Sequence, residues 1–328
     1  MKIGIQHFGP FGGTSYTSPQ WTSFPLRRSG TRIARPSGTN AFTLVEVLVV
    51  MTLLSLIVLS LMMVLNNTQT AFRAGISQTG VLESGRAVTD LIKSDLETMT
   101  PSLGTSNAFV YNSGSNNVNF YVTNNLGYTP LVQSLPGGAQ TRTNVLENFF
   151  ILSSGNVNGS PSWIGTGYVV TTNLPDGTLY PLYRFSMSTN VISGNPAQLF
   201  NSFYSNVVNN TFTNWSHLMD GVVELRVRAY DPNGMWMTTN VYVFGQTTTN
   251  NNVCFLPTSW GETGFYMFSN TVPASVEIEM GVLEDRTLQR AESLSGAVQT
   301  AYLLNHAGQV HIFRQRAWIR NVDPSAYQ

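Results

Sequence analysis

Glu46 is the only carboxylate in the apolar run from Phe42 to Leu65, and no side chain from Val47 to Leu65 carries a charge. An acidic residue at the centre of a membrane helix costs roughly 2.5–3.5 kcal/mol. A chain that keeps one there has a use for it. The chemistry open to a lone carboxylate is ion pairing: opposite charges attract strongly at low dielectric, and an unpaired one is costly. The alternative use, from the first turn of a helix, is to snorkel back to the membrane edge.

The remaining chemical groups are scattered. His306 and His311 lie across a glycine-containing turn at a spacing that suits neither a helix face nor zinc, and His7 stands far from both. His217 and Asp220 resemble part of a hydrolytic triad, but no serine stands in a G-x-S-x-G context, so no enzyme is expected. "YDPNGMW" sets Asp231, Asn233 and Gly234 like the start of a calcium loop. Tyr242 occupies the place of the closing acid, which leaves a tight turn between strands. Cys254 is the single cysteine, so no intramolecular disulfide forms, and it reads as a small core residue. Arg27–Arg28 resembles half of a twin-arginine signal and is better placed as a basic flank that orients a membrane segment.

The elements that must position Glu46 are legible. Residues 1–41 hold Lys2, Arg27, Arg28, Arg32 and Arg35, no acid and no periodicity, and read as an unstructured basic leader. The rest of the 328-residue chain then has more acids than bases, which argues against a nucleic-acid partner. Residues 42–65 form a helix of about 36 Å, enough for a hydrocarbon core of about 30 Å. The run is too long for a secretory signal, and the positive flank places residues 1–41 in the cytoplasm and the rest beyond the membrane.

Over residues 66–100 the helix continues as an amphipathic one. Val81, Leu82, Val88, Leu91, Ile92, Leu96 and Met99 form an apolar stripe, and Pro101 ends it. Gly75, Gly80 and Gly85 each weaken the helix by roughly 1 kcal/mol relative to Ala, marking either local bends or tolerance near a surface. Residues 101–328 form a β-rich head. Strands are expected at "NVNFYVTN", "ENFFILSS", "GYVVTTN", "YPLYRFSM", "GVVELRVRAYD", "NVYVFGQ", "GFYMFSN", "ASVEIEMGVLE" and "VHIFRQRAWIR". Val223, Leu225, Val227 and Ala229 alternate with polar residues and predict one buried face, as do Val276, Ile278 and Met280. Residues 284–305 read as a second helix. The class is α+β, a long N-terminal helix packed on an antiparallel sheet domain.

"FTLVEVLVVMTLLSLIVLSLMMVL" resembles the N-terminal segment of type IV pilins and type II secretion pseudopilins. The resemblance implies a pilin-like fold and cleavage between Ala41 and Phe42 by a prepilin peptidase, which also methylates the new N-terminus. Phe42, Thr43, Leu44 and Glu46 carry the motif. Glu46 would then pair with the free amine of a neighbouring subunit as subunits stack. The family usually has glycine before the cut. Here Ala41 stands there and Gly38 is the nearest glycine, which predicts slower processing. "GRAVTDLIKSDLETM", with Asp95–Leu96, and "GVVELRVRAYDPNGMW" followed by "VPASVEIEMGVLE" are similar to J-type minor pseudopilins, over about a third of the chain. W-type pilin accessory proteins and the pilin-like proteins of the Verru_Chthon cassette families also fit.

The resemblance implies a structural subunit of a secretion pseudopilus or pilus-like filament, anchored once in the inner membrane with a periplasmic head and carried to the filament tip on assembly. Its implied partners are the prepilin peptidase, major and minor pilin-like subunits and the inner-membrane assembly platform. No cofactor is expected, and structural Ca²⁺ enters by the resemblance alone. A different class of function is a permanently anchored domain in which Trp163, Trp215, Trp236 and Trp260 contact glycans or secreted proteins. The two part at the N-terminus, since only assembly demands cleavage.

Overall fold

The structure is a computed structural model that describes residues 43–103, 117–125, 128–137, 140–171, 178–209, 211, 215–238, 252–256 and 262–327. The expected leader, the Ala41–Phe42 bond, the strand expected at 240–246, Tyr242 and Trp260 lie outside the described residues. The fold is α+β. Helix α1 (Leu44–Glu97) is followed by β1 (Val118–Asn124), β2 (Leu131–Ser134), β3 (Thr141–Asn144), β4 (Glu147–Val157), β5 (Ser160–Val170) and β6 (Leu182–Asn190). Next come α2 (Ala197–Asn209), β7 (Trp215–Met219), β8 (Val222–Tyr230), β9 (Val253–Leu256), β10 (Gly264–Phe268), β11 (Ser275–Leu283), α3 (Asp285–Glu292), α4 (Gly296–Leu304) and β12 (Val310–Trp318). The chain divides into two compact units, Met1–Met63 and Val64–Gln328.

In the first unit every apolar side chain from Leu44 to Met63 is exposed, and the best window of the helix has mean hydropathy 2.9 with none of it buried. A helix that is apolar all round and uncovered by protein suits hydrocarbon rather than water. Its hydroxyls are compatible with that solvent: Thr52 and Ser55 donate back to the carbonyls of Val49 and Met51, each at 2.8 Å.

In the second unit α1 buries Val81, Gly85, Val88, Thr89, Ile92 and Leu96, followed by Met99. The expected stripe is present except at Leu91, which is 37 % exposed, and Leu82, which is half-buried. Gly85 takes the missing place in the pattern. A Cβ there would lie 2.3 Å from the Phe313 ring of β12, so this glycine lets helix and sheet approach closely; at Gly75 and Gly80 nothing lies within 4 Å. Gly80→Ala should therefore raise stability by about 1 kcal/mol. Gly85→Ala, which must first displace Phe313, should show none of that gain in the same urea titration. The helix ends at Glu97, ahead of Pro101, because the following backbone is claimed by β4: Met99 bridges Ser153 and the Thr100 N–H donates to Leu152 O at 3.0 Å.

Seven antiparallel strands run in the order β7-β6-β5-β4-β1-β10-β9, and three more in the order β12-β11-β8. Both faces of the large sheet are covered. Phe120, Phe149 and Tyr168 meet Ile92 and Leu96 of α1 and Leu225, Ile278 and Met280 of the small sheet. Tyr121, Phe150 and Phe185 meet Leu199, Phe200 and Phe203 of α2.

Several expectations need correction. β5 begins at Ser160 rather than at Gly167, because Asn158–Gly159 at φ 51° and 80° makes the tight hairpin turn that joins it to β4. Helix α2 was not expected, although Asn195 caps the Ala197 N–H at 2.9 Å and Pro196 precedes the first turn. Residues 284–305 form two helices, α3 and α4, broken at Ser293–Ser295 ahead of Gly296, which has φ 57°. The short strands β2, β3, β7 and β9 are additional.

Candidate functional site

At the head of α1, Thr43 acts as the N-cap. Its carbonyl accepts the N–H groups of Glu46 at 3.0 Å and Val47 at 3.2 Å, and its Oγ1 accepts the Glu46 N–H at 3.3 Å. Thr43-Leu44-Val45-Glu46 is thus the sequence of a capping box, a signal overlooked in the sequence. An acid in the first turn also opposes the positive end of the helix dipole. The Glu46 side chain is exposed, and among the described residues no cation pairs with it. Leu44 beside it is 81 % exposed. The result is a capped helix start that presents a carboxylate from an apolar surface.

Further along the same helix Asp95 holds the large sheet. Arg184 of β6 donates to it through Nε at 2.7 Å and Nη2 at 3.1 Å, and the Tyr168 hydroxyl of β5 donates at 2.5 Å. Burial, reinforced by the Asp95 charge, pushes the Tyr168 hydroxyl far above its usual range, so it remains a donor. The hydrogen bond to Asp95 raises Arg184 in turn. The Asp95–Leu96 pair noted in the sequence therefore has a local cause: Leu96 is fully buried, and Asp95 fixes the helix to two strands.

A second charged group lies on the face of β8 opposite the core. Glu224 is 1 % exposed and pairs with Arg142 of β3 and Arg226, while Arg226 and Arg228 each meet Glu262 at 2.9 Å. Glu224 of the polar half of the β8 alternation is thus buried as well, against Arg142 of the β2–β3 hairpin, while Arg226, Arg228 and Tyr230 are half-buried. Beside it, Glu147 is fully buried and accepts the Val227 N–H at 2.6 Å. Burial pushes its carboxyl up to about 8, and the Val227 hydrogen bond works against that rise.

The remaining candidates resolve into structure. Asp231 accepts the Met235 N–H at 2.7 Å and closes a tight turn, with Gly234 at φ 79°. His217 and Asp220 meet at 2.7 Å on the surface. His306 stacks on Tyr302 at 3.9 Å, and among the described residues no group of His, Cys, Asp and Glu could hold a metal. Cys254 is half-buried rather than buried, against the α2 cluster. Trp163 and Trp215 pack on that cluster too, and Trp236 lies 5.0 Å from the Arg228 guanidinium. Among the described residues the exposed tryptophan is Trp318, 64 % accessible, which the sequence analysis does not single out.

Comparison with known proteins identifies the first of these places. Residues 37–62 match the model of the prokaryotic N-terminal methylation motif. No curated protein and no solved structure matches the chain. The matched segment spans Ala41, Phe42, the N-cap Thr43 and Glu46, and it supports a type IV pilin-like, structural protein with one membrane-anchoring helix among the described residues.

Proposed function

We propose that this chain is a minor pilin or pseudopilin, a subunit processed between Ala41 and Phe42 and assembled through α1 at or near the tip of a pilus-like filament. The observation that carries the reading is the exposed, capped start of α1 inside the methylation motif, with the Glu46 carboxylate open to a partner. After cleavage the new N-terminus is an amine close in sequence to Glu46. In hydrocarbon that amine of one subunit and the Glu46 carboxylate of the next are the natural pair, and their attraction sets one helix against its neighbour. The basic leader stays in the cytoplasm and the sheet domain lies in the periplasm. Prepilin peptidase, other pilin-like subunits and the inner-membrane platform are the partners.

Of the related groups, the J-type minor pseudopilins fit best. Their Asp-Leu pair is matched by a residue that clamps helix to sheet and one that fills the core. The size of the head also suits a capping place better than a repeating one. A permanently anchored glycan receptor has less support, since Trp163 and Trp215 are committed to packing.

The test is the N-terminal mass of the membrane-extracted protein, with and without a co-expressed prepilin peptidase. A chain beginning at N-methylated Phe42 is expected. A chain that keeps residues 1–41 beside an active peptidase would overturn the reading. Glu46→Ala should insert in the membrane normally and co-purify several-fold less with its pilin-like partners; undiminished co-purification would remove Glu46 from assembly.

A further inference from the structure

The small sheet closes one of its edges and leaves the other open. Along β8 the outward backbone is occupied: Leu225 N–H donates to Val145 O at 2.9 Å, Val227 N–H to Glu147 at 2.6 Å, and Met237 N–H to Ala229 O at 2.9 Å. At the opposite edge, β12 pairs with β11 in an unbroken register from Val310↔Leu283 to Ser275↔Trp318. Bonds between Glu284 and Gln309 and between Ile319 and Ala274 bracket that register. They fix the odd-numbered residues as the ones bonded to β11, because bonded and non-bonded pairs alternate in an antiparallel ladder. The backbone N–H and C=O groups of Ile312, Arg314, Arg316 and Trp318 therefore point out of the sheet, and among the described residues no strand lies beyond them.

The side chains of those four residues also face away from α1. Ile312 is 42 % exposed, Trp318 64 %, and Arg314, which pairs with Glu279 and Glu277 of the neighbouring β11, 60 %. Arg316 is held in place: its Nε donates to Ser275 Oγ at 2.9 Å, and its guanidinium lies 4.1 Å from the Tyr230 ring and 5.0 Å from the Trp318 ring. No carboxylate pairs with it among the described residues. From His311 to Arg320 the chain holds three arginines and no acid.

Charge decides the occupant. A second copy added antiparallel about the middle of β12 sets Arg314 against Arg316, and a parallel copy sets each arginine against itself; like charges directly opposite destabilise a pair. An acidic strand supplies Arg316 with the carboxylate it lacks and shares Arg314 with Glu277 and Glu279 of β11.

We propose that the open edge of β12 is a strand-addition site for an extended acidic segment of another polypeptide. The segment's backbone takes the free groups of Ile312, Arg314, Arg316 and Trp318, its acidic side chains meet Arg314 and Arg316, and its alternate apolar residues continue the inner face. Main-chain bonds supply affinity in this mode, and the alternating side chains supply selectivity. The inference does not depend on N-terminal processing, so it stands or falls separately from the assembly reading.

The experiment uses the full-length chain in detergent and a fluorescein-labelled peptide of alternating glutamate and valine. Binding is read by anisotropy, and residue-resolved hydrogen exchange is followed over 310–320. The peptide is expected to bind and to protect the amides of Ile312, Arg314, Arg316 and Trp318, leaving the odd-numbered amides unchanged. The double variant Arg314→Glu, Arg316→Glu should weaken binding about tenfold or more and accept a lysine–valine peptide instead. N-methylation of the glutamates, which keeps the peptide's charge and removes the main-chain donors that an antiparallel strand aims at β12, should weaken binding to the unaltered protein.

Three results would each overturn the proposal. One is no binding at millimolar peptide. The second is equal binding by the N-methylated form without amide protection. The third is tighter binding of single-stranded DNA at the same arginines, which would give the surface to nucleic acid.

Discussion

Asp95→Ala is expected to lower the stability of the sheet domain by about 2–4 kcal/mol, because it leaves Arg184 charged and largely buried with nothing to pair it. Asp95 accepts a two-pronged contact from Arg184 and a third bond from Tyr168, with side-chain exposures of 18 % and 24 % across the ion pair. Removing the carboxylate also takes the acceptor from a buried phenol whose displaced titration keeps it a donor. Adding Arg184→Met should recover a large part of the loss, since the stranded charge goes with it and its volume is kept. Urea midpoints of the single and double variants at constant slope measure both effects. A single variant within about 0.5 kcal/mol of the parent would mean that Asp95 does not hold helix to sheet.

Glu147→Gln should act in the opposite direction and stabilise the protein at neutral pH. In the folded chain the buried carboxyl keeps its proton up to about pH 8, against an ordinary value of 4.5. Below pH 4.5 folded and unfolded forms are both protonated and no penalty arises. Above it the unfolded chain releases the proton first, so stability falls by about 1.4 kcal/mol per pH unit, and the loss is complete near pH 8. At pH 7 this comes to about 3 kcal/mol.

The groups facing the site pull both ways. Glu262 raises the carboxyl further, while Arg226 and Arg228 lower it. Glutamine keeps an acceptor for the Val227 N–H and carries no ionisable group. The variant should therefore lose the stability slope between pH 5 and 8 and be the more stable form at pH 7. A parent protein whose unfolding midpoint does not fall across that range would contradict the account.

The sequence was read correctly where one physical rule acts alone. A helix apolar on every side has to face lipid, and the run 42–65 stated this without a tertiary structure. Alternation in β8 and β11 likewise predicted buried faces that Leu225, Val227, Ile278 and Met280 fill. Two local signals were present and passed over: Asn158–Gly159 for the hairpin into β5, and Asn195–Pro196 for the start of α2. The spacing of Thr43 and Glu46 describes a helix cap as well as a lone charge in an apolar run.

The rest was decided by contacts between residues far apart in the chain. Leu91 carries the same apolar signal as Ile92, yet only Ile92 is covered, because the position of the sheets fixes which side of α1 faces inward. Gly85 became a packing residue only once Phe313 was brought against it. Glu224 and Glu147 look like solvent-facing acids in their strands; burial depends on Arg142 and Val227 arriving from elements remote in sequence. By itself the sequence determined an apolar helix with one carboxylate at its head, joined to an antiparallel sheet domain. Which of its charges are enclosed, and which edge of the sheet is left open, depended on tertiary structure, because enclosure and strand order are properties of neighbours that no local pattern encodes.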